Sequence, residues 1–295
     1  MGFTINTNVS SLNAMRNLNL NQTNQAKSVE RLSSGMRINR AADDAAGLAI
    51  SEGLKNQVSG LTQAGRNAQD GISLIQTAEG ALTEVHNILN RVRDLTVQGA
   101  NDTNNAESRG AIQKEITALG EELGRIAKST NFNGIQLLTT EASGAALKIQ
   151  VGADGTAAAA PGDTTPAAVS SNEISITLTD IEAVAKAVTD IKIATGDTAV
   201  DQAASSAAIE TLDENIVAVS GARADLGAQQ NRLESTARSI AVSVENLSSA
   251  NSRIRDTDMA AEMGNFTKSQ ILSQAATAML AQANQMNSGV MSLLQ

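Results

Sequence analysis

The chain has 295 residues with no cysteine, tryptophan or tyrosine and three phenylalanines, so aromatic residues are only 1% of it. Its core must therefore be built from aliphatic side chains between close-packed helices, and disulfides, thiolate catalysis and cysteine-ligated zinc are excluded. The net charge of −9 lies in residues 141–214, which hold 12 acidic and 3 basic residues and leave the remainder neutral. Without a basic stripe the sequence argues against nucleic acid as a partner, and no run of about 18 apolar residues predicts a membrane span.

The N-terminal part reads as two long helices. The first is predicted over about 5–32, with Met15, Leu18, Val29 and Leu32 on its seam, and Ser33-Ser34-Gly35 ends it. Asp43 and Asp44 favour the start of a second helix, because acids are favourable at a helix N-terminus. That helix is predicted to reach about Gly99, and its seam positions recur every three or four residues: Leu54, Gln57, Leu61, Ala64, Ala68, Gly71, Ile75, Ala78, Leu82, Val85, Leu89 and Val92.

The middle of the chain differs in kind. After a loop from Gly99, a third helix carries Ile112, Ile116, Leu119, Leu123 and Ile126 and ends before the turn sequence Asn131-Phe-Asn-Gly. Residues 147–151 and 174–178 alternate as short strands do, and the loop between them holds both prolines. Residues 181–194 and about 201–220 are predicted to be helical, with the second merging into the C-terminal coil.

The C-terminal part repeats the pattern of the N-terminal part. One seam runs without a break through Leu226, Gln230, Leu233, Ala237, Ile240, Val244, Leu247, Asn251 and Ile254. A strict 3.5-residue repeat keeps one apolar face toward a partner helix, which is the coiled-coil condition. The sequence therefore predicts a mainly α fold: long antiparallel helices in a coiled-coil bundle from paired N- and C-terminal segments, with a small β-hairpin elaboration in the middle.

The last helix has its own seam, through Leu272, Ala276, Met279, Ala283, Met286, Val290 and Leu293. Within one chain, its only available partner is the first helix through Leu12, Met15 and Leu18. All eight methionines lie in residues 1–36 or 259–295, and flexible thioethers suit an interface that accommodates different packings. These residues are therefore predicted to form a polymerisation seam: Leu12, Met15, Leu18, Leu272, Met279, Met286, Val290 and Leu293.

Residues that could carry catalysis are few. His86 is the only histidine, and Asp43 and Asp44 are adjacent, so on a helix their side chains do not face each other. The scattered Gly-x-Gly fragments do not follow a predicted strand, as a phosphate loop requires. The sequence predicts no enzyme, no cofactor and no metal site.

Several motifs together carry a family resemblance. They are the run from Glu30 to Ser51 (ERLSSGMRINRAADDAAGLAIS), Ile5-Asn-Thr-Asn, Arg91-Val-Arg-Asp-Leu, Asn131-Phe-Asn-Gly-Ile-Gln-Leu-Leu and Ile254-Arg-Asp-Thr-Asp-Met-Ala. Over about 1–153 and 215–295 the chain closely resembles bacterial flagellin. It departs from the family at Met1-Gly-Phe-Thr and in the ending from Asn287, both in segments where subunits would meet in the filament interior.

The resemblance implies a structural subunit, secreted by the bacterium, that polymerises into the extracellular flagellar filament used for motility. It implies inner-tube terminal helices at 1–45 and 256–295, a long-helix core domain at 46–153 and 215–255, and a variable surface-exposed segment at 154–214. The expected partners are other copies of the chain, the hook-associated junction and cap proteins, and an export chaperone at the C-terminal helix. Two alternatives stay open: the hook–filament junction protein, and a surface filament acting mainly as adhesin or immune ligand.

The resemblance also implies a candidate patch for a vertebrate Toll-like receptor. In flagellins that this receptor senses, an arginine and a leucine four residues apart, with a glutamate twenty residues later, form the contact. Arg91, Leu95 and Glu115 have those spacings in this chain. The alternative is an assembly role, in which Arg91 and Glu115 join neighbouring subunits and Leu95 widens the apolar stripe, and both roles can hold together.

Overall fold

The computed structural model describes residues 8–139, 146–154, 172–193 and 198–292. Most of the proline-containing loop predicted between the two strands lies outside these residues. Within them the chain forms six helices and two β-hairpins: α1 Val9–Ser34, α2 Ala45–Gly99, α3 Ala106–Ser129, β1 Asn131–Phe132, β2 Ile135–Gln136, β3 Leu147–Gln150, β4 Glu173–Ile176, α4 Ile181–Thr189, α5 Thr198–Arg255 and α6 Met259–Ser292.

Local side-chain chemistry sets the helix ends. Asn8 accepts a hydrogen bond from the backbone N–H of Ser11, so α1 begins at Val9, later than the predicted start at about residue 5. It ends at Gly35, whose φ of 71° is the left-handed conformation that glycine adopts without strain. Asp44 caps α2 in the same way, since its carboxylate accepts from the N–H of Gly47 at 2.9 Å.

Asp43, the other acid predicted at this helix start, acts on the preceding loop. Its Oδ2 accepts hydrogen bonds from the backbone N–H groups of Arg40 and Asn39, at 3.0 and 3.2 Å. These bonds favour the ionised carboxylate and lower the pKa of Asp43 below its ordinary value. The predicted capping role is therefore confirmed for Asp44, while Asp43 fixes the turn that leads into α2.

Both hairpins form where the sequence predicts turns and strands. Strands β1 and β2 are joined by Asn133 and Gly134, with φ values of 51° and 81°, and two successive positive φ angles define the tight turn that asparagine–glycine pairs prefer. Strands β3 and β4 pair antiparallel, with Ile149 opposite Ile174. The bends after β3 are held by the N–H groups of Val151 and Gly152, both donated to the carbonyl of Asn172.

The chain divides into two compact units: Met1–Gln57 with Glu245–Gln295, and Val58–Val244. In the first unit α1 and α6 pack against each other in antiparallel orientation. Asn8, just before α1, donates its side-chain amide to the carbonyl of Ala283 near the end of α6. Ser28, late in α1, donates its hydroxyl to Glu262 at the start of α6. The start of α1 therefore lies beside the end of α6, and the end of α1 lies beside the start of α6, as in an antiparallel pair.

The second unit is built on an antiparallel pairing of α2 with α5. Arg93 Nε lies 2.6 Å from Asp213 Oδ1, and Arg223 Nη2 lies 3.7 Å from Glu79 Oε1. At Gly71 the helices approach so closely that a Cβ would lie 3.3 Å from Leu233 Cδ1. Most of the predicted seam is buried in this unit, which confirms the mainly α coiled-coil fold, while Leu61, Gln230, Ala237 and Val244 are partly buried. The buried seam residues are Ala64, Ala68, Ile75, Ala78, Leu82, Val85, Leu89 and Val92 on α2 and Leu226, Leu233 and Ile240 on α5.

The segment predicted as a surface elaboration contributes to this same core. Gln113 of α3 holds the chain after α4 at two points, donating to the carbonyl of Ile191 and accepting from the N–H of Ile193, both at 2.7 Å. These bonds hold residues 191–193 extended, and α4 ends at Thr189, five residues before its predicted end. The apolar faces of β4, α4 and this stretch are buried, namely Ile174, Ile176, Ile181, Val184, Val188, Ile191 and Ile193.

Two valines on α5 offer a matched test of this packing. Val219 is fully buried, whereas Val217, two residues earlier on the same helix, is 70% exposed. Val219→Ala should lower the free energy of unfolding by roughly 2 kcal/mol, because two buried methyl groups are lost and a cavity remains. Val217→Ala should change it by less than about 0.5 kcal/mol. Urea unfolding followed by circular dichroism measures both, and equal effects would contradict the assigned core.

Candidate functional site

The contact between α1 and α6 uses small and polar side chains. The shielded positions recur every three or four residues on both helices: Ser11, Ala14, Leu18, Asn21, Gln25, Ser28 and Leu32 on α1, and Glu262, Phe266, Ser269, Ser273, Ala276, Leu280 and Ala283 on α6. This repeat overlaps the predicted seam of α6 only at Ala276 and Ala283. The last helix thus carries two heptad patterns, and the pattern richer in small polar residues faces α1.

A buried polar cluster stands at one end of this contact. The Ser28 hydroxyl donates to Glu262 Oε1 at 2.5 Å, and both residues are more than nine-tenths buried. Arg31 Nη1 lies 3.7 Å from the other carboxylate oxygen of Glu262. A buried carboxylate loses its partners if the helices slide by a turn, so this cluster favours one axial alignment of α1 with α6.

The predicted polymerisation seam is largely turned away from this contact. Only Leu18 lies in the α1–α6 contact, half-buried. Leu12 and Met15, the α1 residues named with Leu18 as the available partner of the last helix within one chain, are exposed. Met286 and Val290 belong to α6, but their side chains lie outside the described part of the chain, as does Leu293. The other seam residues are exposed: Leu12 by 58%, Met15 by 55%, Leu272 by 42% and Met279 by 66%.

Two apolar surfaces result on the first unit. Leu272 and Met279 form the apolar α6 side of an open groove between α6 and α1, and on the α1 side Ala14 and Leu20 alternate with serine and asparagine side chains. A second surface lies on α6 itself, around Met263, Ile271 and Leu272. Monomeric proteins rarely leave contiguous apolar surface exposed unless it serves an interaction. The two helices thus pair through small and polar residues with a few larger apolar ones, and they leave other apolar residues exposed to a partner.

The structure joins two of the three residues of the predicted receptor patch. Arg91 of α2 donates from Nε and Nη2 to Glu115 Oε1 of α3, at 3.1 and 2.7 Å. Both side chains are about half exposed. Leu95, one turn further along α2, is only 2% exposed and belongs to the core. The spacing correctly places Arg91 and Leu95 one turn apart, but the leucine faces inward.

Some residues that position these surfaces carry no obvious sequence signal. Ser28 and Glu262 fall between the apolar residues that define the predicted seams. They would be found only by looking for a heptad repeat of polar residues on α1 and α6 together. Arg109 of α3 is buried, with its guanidinium 3.6 Å from Asp102 and 3.5 Å from the carbonyl of Asn101, and so anchors the loop after α2. An arginine in a polar loop region usually reads as a solvated charge.

Chemistry beyond packing and charge pairing is sparse in the described ranges. Histidine, cysteine, aspartate and glutamate side chains there form no group of three that could hold a metal ion. None of the helices searched is long and apolar enough to cross a membrane. His86 is half-buried on α2. The features that stand out are therefore a closed helical core and terminal helices with unpartnered apolar surface, which define a structural protein that functions by association.

Comparison with known proteins identifies which structural protein this is. Residues 5–143 match the bacterial flagellin N-terminal helical region and residues 209–294 match the bacterial flagellin C-terminal helical region. The chain is 46% identical over 291 residues to a flagellin of Halalkalibacterium halodurans, covering 99% of both. It is 44% identical over 301 residues to the flagellar filament 33 kDa core protein of Treponema phagedenis, again covering 99% of both. The chain belongs to the bacterial flagellin family and is a structural subunit of the flagellar filament.

A solved structure resembles the chain at the level of fold alone. It is a putative flagellar hook-associated protein from Vibrio parahaemolyticus, with a TM-score of 0.54 and 15% identity, covering 72% of this chain and all of the other. The far higher identity to flagellin and filament core proteins favours the filament subunit over the hook–filament junction protein. The family and function predicted from the sequence motifs are confirmed.

The polar cluster of the first unit can be tested with two glutamates of the same unit. Glu262→Ala should leave the buried Ser28 hydroxyl without an acceptor, at a cost of about 1–3 kcal/mol. Amide hydrogen exchange should then show faster exchange in α1 and α6 and unchanged protection in the core of the second unit. Glu245→Ala, at an exposed position of α5, should alter neither. Unchanged protection in Glu262→Ala would show that the cluster does not hold the helices together.

Proposed function

We propose that copies of this chain polymerise through the exposed apolar residues of α1 and α6, and that the resulting filament is extracellular. The observation that carries this proposal is the exposure of Leu12, Met15, Leu272 and Met279 in a chain whose α2–α5 seam is largely buried. Met286, Val290 and Leu293 continue the α6 seam in sequence and are assigned to the same interface. Membership of the flagellin family supports self-association as the use of this surface.

The energetics suit assembly by repetition. Burying one leucine or methionine side chain contributes roughly 1.5–3 kcal/mol, and each subunit brings at least four such residues. Association must overcome lost translational and rotational freedom as well as side-chain ordering, so a single pairwise contact of this size gains little. A subunit that is contacted by several neighbours in a helical polymer multiplies the gain, which favours long filaments over dimers.

The charge distribution supports an arrangement within that filament. The neutral terminal segments, 1–45 and 256–295, are assigned to the interior, where like charge would oppose dense packing. The core domain, 46–153 and 215–255, surrounds them. Residues 154–214 carry much of the negative charge, and their acidic side chains are assigned to the outer surface. The apolar residues that this segment buries serve the core of its own subunit.

The same apolar surface of α6 suggests the remaining partners. Before assembly this apolar surface must be shielded from solvent. An export chaperone that binds the C-terminal helix and accompanies the secreted chain would shield it. The junction and cap proteins would contact the subunits at the two ends of the filament through this surface. Each of these partners must present an apolar helix or groove, because that is what Leu272 and Met279 can bind.

The polymerisation seam can be tested by placing charge on it. Leu272→Asp with Met279→Asp should abolish elongation of filament seeds, because two carboxylates would have to be buried in each contact. The helical content should be retained, since both residues are exposed at the edge of the α1–α6 contact. Gln274→Asp, at an exposed polar position of the same helix, is the matched control and should elongate. Sedimentation and circular dichroism of the purified proteins decide the outcome, and normal elongation of the double variant would contradict the proposed interface.

A second proposal concerns the Arg91–Glu115 pair. Both side chains are exposed and joined across α2 and α3, so they present a fixed charge pattern to a vertebrate Toll-like receptor. Leu95 is too buried to contact the receptor directly. It would instead hold Arg91 in position through its packing in the core. The same pair is available to join neighbouring subunits, so the receptor patch and an assembly contact can share it.

Substitution of arginines on α2 tests the receptor patch. Arg91→Ala should lower stimulation of receptor-bearing cells by purified monomer about tenfold, if the lost charged contact is worth about 1.4 kcal/mol. Arg66→Ala removes another exposed arginine from the same helix and should leave the response unchanged. Dose–response curves measure both, with circular dichroism to verify folding. An unchanged response to Arg91→Ala would exclude this residue from receptor binding.

A further inference from the structure

The placement of methionine in this chain is selective and exposed. The second unit, residues 58–244, contains no methionine at all. Five methionines of the first unit have side chains in the described residues; Met36 is partly buried, and the other four are about half or more exposed: Met15, Met259, Met263 and Met279. None of the four occupies a shielded position of the α1–α6 contact. These thioethers therefore do not fill the core of the subunit.

We propose that these four exposed methionines are sites of oxidation by hydrogen peroxide, and that their oxidation blocks assembly of the chain. In the reaction the peroxide transfers one oxygen atom to the thioether sulfur. The O–O bond breaks, a sulfur–oxygen bond forms, the sulfur is oxidised by two electrons and water is released. The product is methionine sulfoxide, which enzymes can reduce back to methionine. The inference about assembly rests on the polymerisation interface proposed above.

The effect on assembly follows from the polarity of the product. A sulfoxide oxygen is a strong hydrogen-bond acceptor, and burying it without a donor is unfavourable. Met279 lines the apolar groove between α1 and α6, and Met263 lines the apolar surface of α6. The groove also contains asparagines and the α6 surface a lysine, but in a contact that packs thioethers against apolar side chains the sulfoxide oxygen must still be removed from water. Oxidation at these positions would oppose the contacts that unmodified thioethers favour.

The fold of the subunit should survive the modification. The α1–α6 contact depends on Ser28, Glu262 and the small residues between the helices, none of which reacts with peroxide under mild conditions. The oxidised chain should thus remain helical and monomeric. Assembly should in turn protect the four residues, because in the filament their sulfur atoms lie within subunit contacts.

The first experiment compares monomer with filament at one peroxide concentration. Peptide mass spectrometry should find sulfoxide at Met15, Met259, Met263 and Met279 in the monomer, forming at least fivefold faster than in filaments. Equal rates in monomer and filament would overturn the inferred protection. This measurement needs no variant and so does not depend on whether a substituted chain folds.

The second experiment measures seeded elongation after oxidation. Oxidised wild-type monomer should lose at least nine-tenths of its elongation, and treatment with methionine sulfoxide reductases should restore it. A chain with Met15→Leu, Met259→Leu, Met263→Leu and Met279→Leu, made in a Met286→Leu background because Met286 is assigned to the same interface, keeps similar side-chain volumes and should elongate before and after peroxide. Two half-variants, Met15→Leu with Met259→Leu and Met263→Leu with Met279→Leu, should each be partly resistant. Loss of elongation in the oxidised fourfold variant to the wild-type extent would overturn the proposal.

Failure of this inference can be told from failure of the interface itself. If wild-type monomer oxidised at all four sites elongates normally while unoxidised Leu272→Asp with Met279→Asp does not, the interface stands and the oxidation proposal fails. If the unoxidised charged variant elongates normally, the interface assignment fails whatever peroxide does.

Discussion

The antiparallel seam between α2 and α5 is the interaction on which the rest of the second unit depends. Its residues are separated by more than 100 positions in sequence, so the helices must meet after a long loop is closed, and that entropy must be recovered by burial. Small side chains make the recovery possible: Ala64, Ala68 and Gly71 let the backbones approach closely enough for leucine and isoleucine from α5 to fill the space. Because aromatic residues are only 1% of the chain, the core is filled by close approach of the helices and not by large side chains. The hairpin β3–β4 then packs on this pair through Ile149 beside Gly71, and helix α4 packs on α3.

The terminal helices, α1 and α6, differ from this pair in how they divide polar and apolar residues between contact and surface. Their contact contains serine, asparagine, glutamine and a buried glutamate, which give alignment through hydrogen bonds and little hydrophobic stabilisation. Several other apolar residues of the same helices, including Leu12, Met15, Leu272 and Met279, are exposed. An apolar contact within the subunit would satisfy these residues and leave nothing to drive association. The first unit therefore leaves apolar surface that other copies can bury, whereas the second unit buries a continuous apolar core.

Charge follows the same division between core and surface. The neutral termini can approach one another in many copies, whereas the acidic middle would repel its own copies if it were packed between them. The middle segment is nevertheless more than an attachment, because Gln113 binds its backbone and its aliphatic side chains complete the core of the second unit. Among its described residues, the charged side chains lie outside the core, and the buried aliphatic side chains stabilise it. One stretch of sequence thus serves two surfaces through the alternation of strand and helix periods.

The sequence by itself determined the helices, their long seams and the family. Periodicity depends on local spacing alone, so the strict repeat from Ala64 to Val92 predicted burial correctly, and asparagine–glycine and serine–glycine pairs marked turns through their tolerance of positive φ. Only the tertiary structure decided which of two overlapping heptads on α6 meets α1, because Ala276 and Ala283 belong to both and the polar repeat is invisible to an apolar pattern. It also decided that Leu95 faces inward while Arg91, one turn away, pairs with Glu115 on α3. Helical spacing places two residues on one side of a helix, but the position of the neighbouring helix determines which of them is covered.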